Sequence, residues 1–384
     1  MGSRVRLDPA AVGASIGPLG RARMLPGAAY VDDGVLAWEL EHLFGRDWLC
    51  AGRAGFVNKP GEQAAVAVGG TSVLLTRGTG GGLHVHANVC RHRAHELLRS
   101  GTRAHRGVVQ CPYHAWSYEL DGRLRVAPRF EGVESFEAAE LGLLPVRHAE
   151  WGGWVFVDLS GEAGPFDDHL GDLATIAEPW TPERLVSGAT RTYDLAANWK
   201  LVHENYHECY HCPVIHPELC RVTAPTSGEN FAAPAGAWVG GVMDLVPGVA
   251  TMSFTGESSA ESLPGLDARQ RRIVLYVGLG WNLLISAHPD YVLTHRITPV
   301  APGRSAVECE WLFPPWVVAR PGFDPSFAVD FWDLTNRQDW AAIESVQRGL
   351  ASPAFVPGRF SPDESAVHQF IGHIAERYLT GCDT

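Results

Sequence analysis

Residues 203–216 carry His203, Glu204, His207, Glu208, Cys209, His211, Cys212 and His216. Four imidazoles, two carboxylates and two thiols in so short a span are more coordinating side chains than a solvated loop needs. Their spacing admits several metal sites. His203, His207 and His211 fall at i, i+4, i+8, a three-histidine zinc stripe on a helix, and Cys209 and Cys212, at i, i+3, are zinc ligands of another kind. A 2-His-1-carboxylate face on iron(II), with positions left open for O2 and substrate, is the arrangement that oxygen-activating enzymes use. Spacing alone does not choose among them.

A second cluster lies upstream. Cys90-Arg91-His92 and Cys111-Pro112-Tyr113-His114 form a C-x-H…C-x2-H pattern with eighteen residues between its halves. Two thiolates and two imidazoles suit structural zinc, but zinc sites usually pair cysteine with cysteine and histidine with histidine at two to five residues. Here each half mixes one Cys with one His at short, unequal spacing. That mixture favours a [2Fe–2S] cluster with two Cys on one iron and two His on the other, the Rieske arrangement.

The elements that must position these groups read as follows. From residue 48 to 159, short β-rich runs at 64–68, 72–76, 83–89, 108–111 and 154–158 are separated by Gly-rich turns. Asp121-Gly122, between 118–120 and 124–126, is a hairpin signal. This is a small antiparallel β domain whose loops carry Cys90/His92 and Cys111/His114. Before it, residues 1–29 are irregular and 30–48 have helical spacing. After it, 160–179 read as a linker with a short helix. Residues 222–269 have little periodicity, as a pocket cover would. Segments 190–194, 273–279, 282–285, 291–299 and 306–313 read as antiparallel strands, and 331–350 as a helix. In that helix Asp339, Ile343, Val346 and Leu350 share one stripe, and a carboxylate in a buried stripe needs a partner such as a metal. Asp333 is its nearby rival.

Composition bounds the rest. The 384 residues suit one large or two ordinary domains, and the net charge of -12 argues against a nucleic-acid or anionic-membrane surface. No apolar run is long enough for a transmembrane helix, and the N-terminus lacks the pattern of a signal peptide. Eight cysteines without an export signal point to a reducing cytoplasm, where clustered cysteines bind metal more often than they form disulfides.

Asn88-Val89-Cys90-Arg91-His92-Arg93 and Cys111-Pro112-Tyr113-His114-Ala115-Trp116 resemble the cluster loops of Rieske-type ring-hydroxylating oxygenases, in their large catalytic subunits. Asn198-Trp199-Lys200, Glu204-Asn205-Tyr206 and Glu208-x2-His211-x4-His216 are similar to that family too, and the resemblance runs over roughly residues 25–375. Asn336 to Trp340 and Ser345 to Leu350 resemble the region that supplies its third iron ligand. Many ring-hydroxylating members carry an aspartate where this chain has Glu208. The Glu-Cys-Tyr-His-Cys run looks closest to oxygenases acting on quaternary ammonium compounds such as carnitine and glycine betaine.

The resemblance implies an α+β chain in three parts: an N-terminal segment (1–46) packing on the catalytic domain, a Rieske domain (47–159) and a catalytic domain (160–384) with an antiparallel sheet flanked by helices, of helix-grip type. It implies that Cys90, His92, Cys111 and His114 hold the [2Fe–2S] cluster and that His211, His216 and Asp339 hold iron(II). Cys209 and Cys212 are left as buried apolar packers, and His203 and His207 as hydrogen-bonded histidines near the site. The two centres of one chain are expected to be too far apart for rapid transfer and to meet across the subunit boundaries of a homotrimer, bridged by Glu208. Electrons are expected from NAD(P)H through a flavin/iron–sulfur reductase or ferredoxin. With O2 they would hydroxylate a small molecule, an N-methylated or quaternary ammonium compound. An aromatic or natural-product substrate is the alternative, and an electron carrier without catalysis is the alternative of another class. A quaternary ammonium is best held by aromatic faces, for which Tyr206, Phe231, Trp238 and Trp281, with His207, are the pocket candidates.

Overall fold

Between Gly45 and Ala163, β-branched and apolar runs broken by glycine turns fold into three small antiparallel sheets. Glu62–Val68 and Thr71–Arg77 form a hairpin, extended by Arg103–His105 on one side and Leu83–Ala87 on the other. Trp154–Asp158 lies between Leu49–Arg53 and Arg147–Trp151. The third sheet, Val109–Gln110, Ser117–Tyr118 and Leu124–Val126, carries the Asp121-Gly122 turn. Gly122 has φ +90°, and a Cβ there would come within 2.5 Å of the His86 ring, so the turn requires glycine. Leu49–Arg53 and Arg147–Trp151 carry no alternation in the sequence, the first being buried throughout and the second half-exposed to exposed.

The computed structural model describes residues 5–382, so the first four residues of the expected N-terminal segment and the last two of the catalytic one lie outside the described residues. Its second compact unit joins the residues up to Phe44 to those from Gly164 onward. That unit is built on one seven-stranded antiparallel sheet, in the order Val186–Leu195, Arg304–Phe313, Val292–Ala301, Leu283–Ala287, Ile273–Leu279, Trp238–Asp244, Glu229–Asn230. The helices Trp199–Tyr206, Ser326–Leu350 and Ser365–Cys382 pack on it, and Trp199–Tyr206 touches both of the others. The expected antiparallel sheet with flanking helices is therefore present.

Three expectations are corrected. The segment 222–269 is not irregular throughout: Trp238–Asp244 is a strand of the sheet, and Gly240 and Gly241 within it erase the alternation that would reveal it. The helix expected at 331–350 starts at Ser326, and its stripe is broken, since Ile343 and Leu350 are buried while Val346 is exposed. The helix expected at 30–48 is Asp33–His42, whose N-terminus is capped by the Asp32 carboxylate on Gly34 N and Val35 N.

The Asn198-Trp199-Lys200 motif fixes the helix that leads into the histidine stretch. Asn198 caps it through Lys200 N (3.0 Å) and donates to the carbonyls of Tyr30 (3.2 Å) and Pro302 (2.6 Å). Glu39 accepts from the Trp199 indole (2.8 Å) and from the fully buried Lys200 ammonium. Removing one partner of such a buried pair costs about 3–5 kcal/mol, so this contact sets the position of the helix firmly.

Candidate functional site

Cys90 and Cys111 belong to the core of the smaller unit, packed with Leu74, Leu97, Val109, Trp116 and Tyr118. Their loops are built alike. Cys90 N donates to His95 O and Ala94 N to Cys90 O; Cys111 N donates to Trp116 O and Ala115 N to Cys111 O. Ala94 (φ 57°) and Ala115 (φ 59°) both take the left-handed conformation that closes such a turn. Each loop thus buries a thiol and holds an imidazole at its rim. The His92 ring stacks on Trp116 (5.0 Å between centroids) and meets the His114 ring edge-on at 4.7 Å. Tyr118 Oη lies 3.2 Å from Cys90 Sγ and accepts from Arg91 N. Burial, with the Cys90 thiol beside it, pushes the Cys111 thiol up.

The donor set tests zinc against a cluster. Four ligands on one tetrahedral ion at about 2.0–2.3 Å stand about 3.3–3.8 Å apart. Among the described residues, no three of Cys90, His92, Cys111 and His114 bring ligand atoms within 4.8 Å of one another. A thiol pair and an imidazole pair, each close but separated from the other, fit a two-iron cluster and not a single zinc.

In the larger unit, His211, His216 and Asp339 do converge: their ligand atoms all lie within 4.8 Å, and they form the one such group among the described residues. His216 Nε2 is 2.8 Å and His211 Nε2 3.3 Å from Asp339 Oδ1. Each ligand has a further hydrogen-bond partner. Asn205 Nδ2 donates to Asp339 Oδ1 (3.0 Å). Glu208 accepts from the main-chain N–H of Tyr210 and His211 and pairs with His211 Nδ1. His216 Nδ1 meets Gln338 Oε1 at 2.7 Å, while Gln338 Nε2 donates to Glu218 at 3.4 Å. Because a carboxylate only accepts, Glu218 turns the Gln338 amide oxygen toward His216. That makes His216 Nδ1 the protonated nitrogen and leaves the Nε2 lone pair for a metal. Gln338→Leu is therefore expected to weaken divalent-metal binding by about 10–100-fold, measured by titrating metal-free protein with cobalt(II).

Burial pushes the Asp339 carboxyl up, but the His211 and His216 imidazoles outweigh it and hold the carboxyl below its usual range. Burial lowers His211, yet Asp339 and Glu208 together raise it to about 9. Both shifts reflect the close approach of the Asp339 carboxylate to the His211 and His216 rings, with Glu208 also against His211. The two imidazoles and one carboxylate fit mononuclear iron(II) with open positions.

The other candidates separate clearly. Asp333 accepts from the Tyr193 hydroxyl (2.6 Å) and from Arg337 (2.8 Å), outside the ligand group. His203 is a core residue: Nε2 bonds the Trp281 carbonyl (3.0 Å) and the ring stacks on Phe370. His207 is buried with Nε2 unpartnered, seated where a Cβ on Gly278 would come within 2.4 Å. Burial lowers its imidazole well below the ordinary value, so it is neutral. Cys209 and Cys212, expected as apolar packers, are joined in a disulfide; an i, i+3 pair on a turn brings the two sulfurs together.

A cavity of about 440 Å³ opens on the three ligands. Tyr206 and His207 line it, whereas Phe231, Trp238 and Trp281 do not. Phe231 packs on Trp238, whose indole donates to Asp172, and the Trp281 ring lies near Trp199 in the core. The aromatic lining comes instead from Tyr276, Trp332 and Trp340, with His295. The sequence held a partial signal for two of these: Trp332 and Trp340 sit one turn from Asn336 and beside Asp339 on the same helix. Three buried polar atoms of the lining, His207 Nε2, His295 Nδ1 and Trp340 Nε1, lack a hydrogen-bond partner among the described residues.

Residues 47–137 match the family model of the Rieske [2Fe-2S] domain, and 182–380 that of the ring hydroxylating alpha subunit (catalytic domain). The chain is 32% identical to the glycine betaine monooxygenase oxygenase subunit of Pseudomonas aeruginosa, over 92% of this chain and 89% of that one. It is 35% identical to the carnitine monooxygenase oxygenase subunit of Escherichia coli K12, over 50% of this chain and 52% of that one. A solved quaternary ammonium Rieske monooxygenase in complex with L-carnitine superposes with a TM-score of 0.79 at 22% identity, covering 97% and 99% of the two chains. Naphthalene 1,2-dioxygenase from Rhodococcus sp. gives 0.77 at 18%, covering 93% and 94%. At these identities the two structures speak for the fold alone.

Proposed function

The chain belongs to the Rieske non-haem iron oxygenase catalytic subunits, and from that premise we propose that it hydroxylates an N-methyl carbon of a small quaternary ammonium compound. The observation that carries this reading is the likeness, over nearly the whole of both chains, to a glycine betaine monooxygenase subunit. It is supported by a cavity beside His211, His216 and Asp339 whose lining combines aromatic faces with the carboxylates of Glu208 and Asp363. Aromatic faces and nearby carboxylates attract a desolvated cation.

In this reading Cys90, His92, Cys111 and His114 hold the cluster, and His211, His216 and Asp339 hold the iron. When bound, the two groups supply single electrons and the activation of O2 for attack on a C–H bond. The chain's own residues supply the rest. Tyr206, Tyr276 and Trp332 orient the methylammonium group and exclude water from it. Gln338, Asn205 and Glu208 hold the three ligands in their orientations. Glu208 accepts the ring N–H of His211 and, across the subunit boundary of a homotrimer, that of a cluster histidine. A reductase fed by NAD(P)H delivers the electrons.

Two electrons, two protons and one O2 convert the N-methyl group to a hydroxymethyl group and one water. The hydroxymethyl group leaves as formaldehyde, with release of a proton and the demethylated amine. The test is formaldehyde formed per NAD(P)H consumed, with a surrogate reductase, across betaines, carnitine, choline and aromatic acids. Near-stoichiometric formaldehyde from a methylammonium compound is expected. Hydroxylated aromatic acid without formaldehyde would replace this substrate class by the aromatic one.

A further inference from the structure

The disulfide of Cys209 with Cys212 brackets His211 within a single turn. Its placement is chemically unusual. Cys212 is buried, and its Sγ lies 3.9 Å from His211 Nε2, the nitrogen turned toward Asp339. Two ligands on one ion, an imidazole at about 2.1 Å and a thiolate at about 2.3 Å, stand about 3.1–3.6 Å apart. At 3.9 Å from His211 Nε2, the sulfur stands a little beyond the separation of two ligands on one ion. Held in the disulfide, it is a neutral and poor donor; released as a thiolate, it is a strong, soft ligand for the positions that O2 and substrate require.

We propose that the Cys209–Cys212 disulfide is a redox-controlled cap on the mononuclear site, whose reduction admits Cys212 as an additional metal ligand. This rests on the reading that the metal sits among His211, His216 and Asp339. In the reducing direction the S–S bond breaks and two S–H bonds form, with two electrons and two protons taken from a dithiol, which leaves as its own disulfide. Cys212 then loses its proton to solvent on binding the metal. In the oxidising direction hydrogen peroxide, formed when O2 is reduced by two electrons without hydroxylation, takes the two thiols to the disulfide and becomes two waters. Both cysteines line the cavity, the side from which a small dithiol would approach them.

The test loads cobalt(II) into the mononuclear site of the full chain and reads its neighbours by X-ray absorption at the cobalt edge, which the cluster iron does not obscure. The expected result is a nitrogen/oxygen shell in untreated protein and a sulfur neighbour after dithiothreitol. Cys209→Ser, which leaves Cys212 without its partner, is expected to show that sulfur without any reductant. Cys212→Ala is expected to keep a nitrogen/oxygen shell throughout. A sulfur-free shell in both reduced wild type and Cys209→Ser overturns the proposal, as does full alkylation of Cys209 and Cys212 in protein never exposed to reductant. Failure of cobalt to bind at all would instead overturn the three-ligand reading on which it stands.

Discussion

Asp339→Ala is expected to release the mononuclear iron and abolish coupled turnover while the cluster stays in place. Anaerobically prepared wild type should hold about three iron atoms per chain, two in the cluster and one at the site, and the variant about two. The side chain removed is the single carboxylate among the three ligands, and His211 and His216 alone present two neutral donors to a hard cation. The cluster should survive because the four donors proposed for it lie in the other unit. An iron count still near three in Asp339→Ala would show that another group, such as Asp333, supplies the third ligand. The structure makes that substitution costly for Asp333, which is already committed to Tyr193 and Arg337.

Glu208→Gln is expected to keep both metal centres and lose turnover by about 10–100-fold, the range found when a group behind a metal ligand is removed. Glutamine has the same length, so its amide oxygen can still accept from His211 N or pair with His211 Nδ1. What it lacks is the second anionic oxygen, which in the proposed trimer would accept from the neighbouring subunit's cluster histidine. The loss should therefore fall on kcat, with KM for the substrate little changed. Chemical reduction of the cluster should remain normal, and its reoxidation by O2 in the presence of substrate should slow. Near-normal coupled activity in the variant would refute the bridging role.

Local structure around the site was readable because local chemistry specifies it. The mixed Cys/His spacing marked the two cluster loops, and the Asp121-Gly122 turn must be glycine for the His86 ring to fit. The Asn198 cap on the helix that leads to His211, and the short turn that follows at Cys212–Ile215, came from the structure. Elements whose signals lie in contacts were missed. Trp238–Asp244 pairs with Ile273–Leu279 through a glycine-rich run, and Ser365–Cys382 was not recognised as the helix that packs on Trp199–Tyr206.

By itself the sequence determined the donor types and the mixed Cys/His spacing of the upstream loops, and it left four histidines as candidates for the iron. Such features follow from composition and from backbone geometry within a few residues. Only the tertiary structure decided which carboxylate completes the iron site, because Asp339 reaches His216 across 123 residues through the packing of helix Ser326–Leu350. It also separated the thiol pair from the imidazole pair and chose Tyr276 and Trp332 over Phe231 and Trp238 for the cavity. Each of these is a distance between side chains on different elements. No periodicity encodes it, since it is fixed by how sheet and helices bury their apolar faces together.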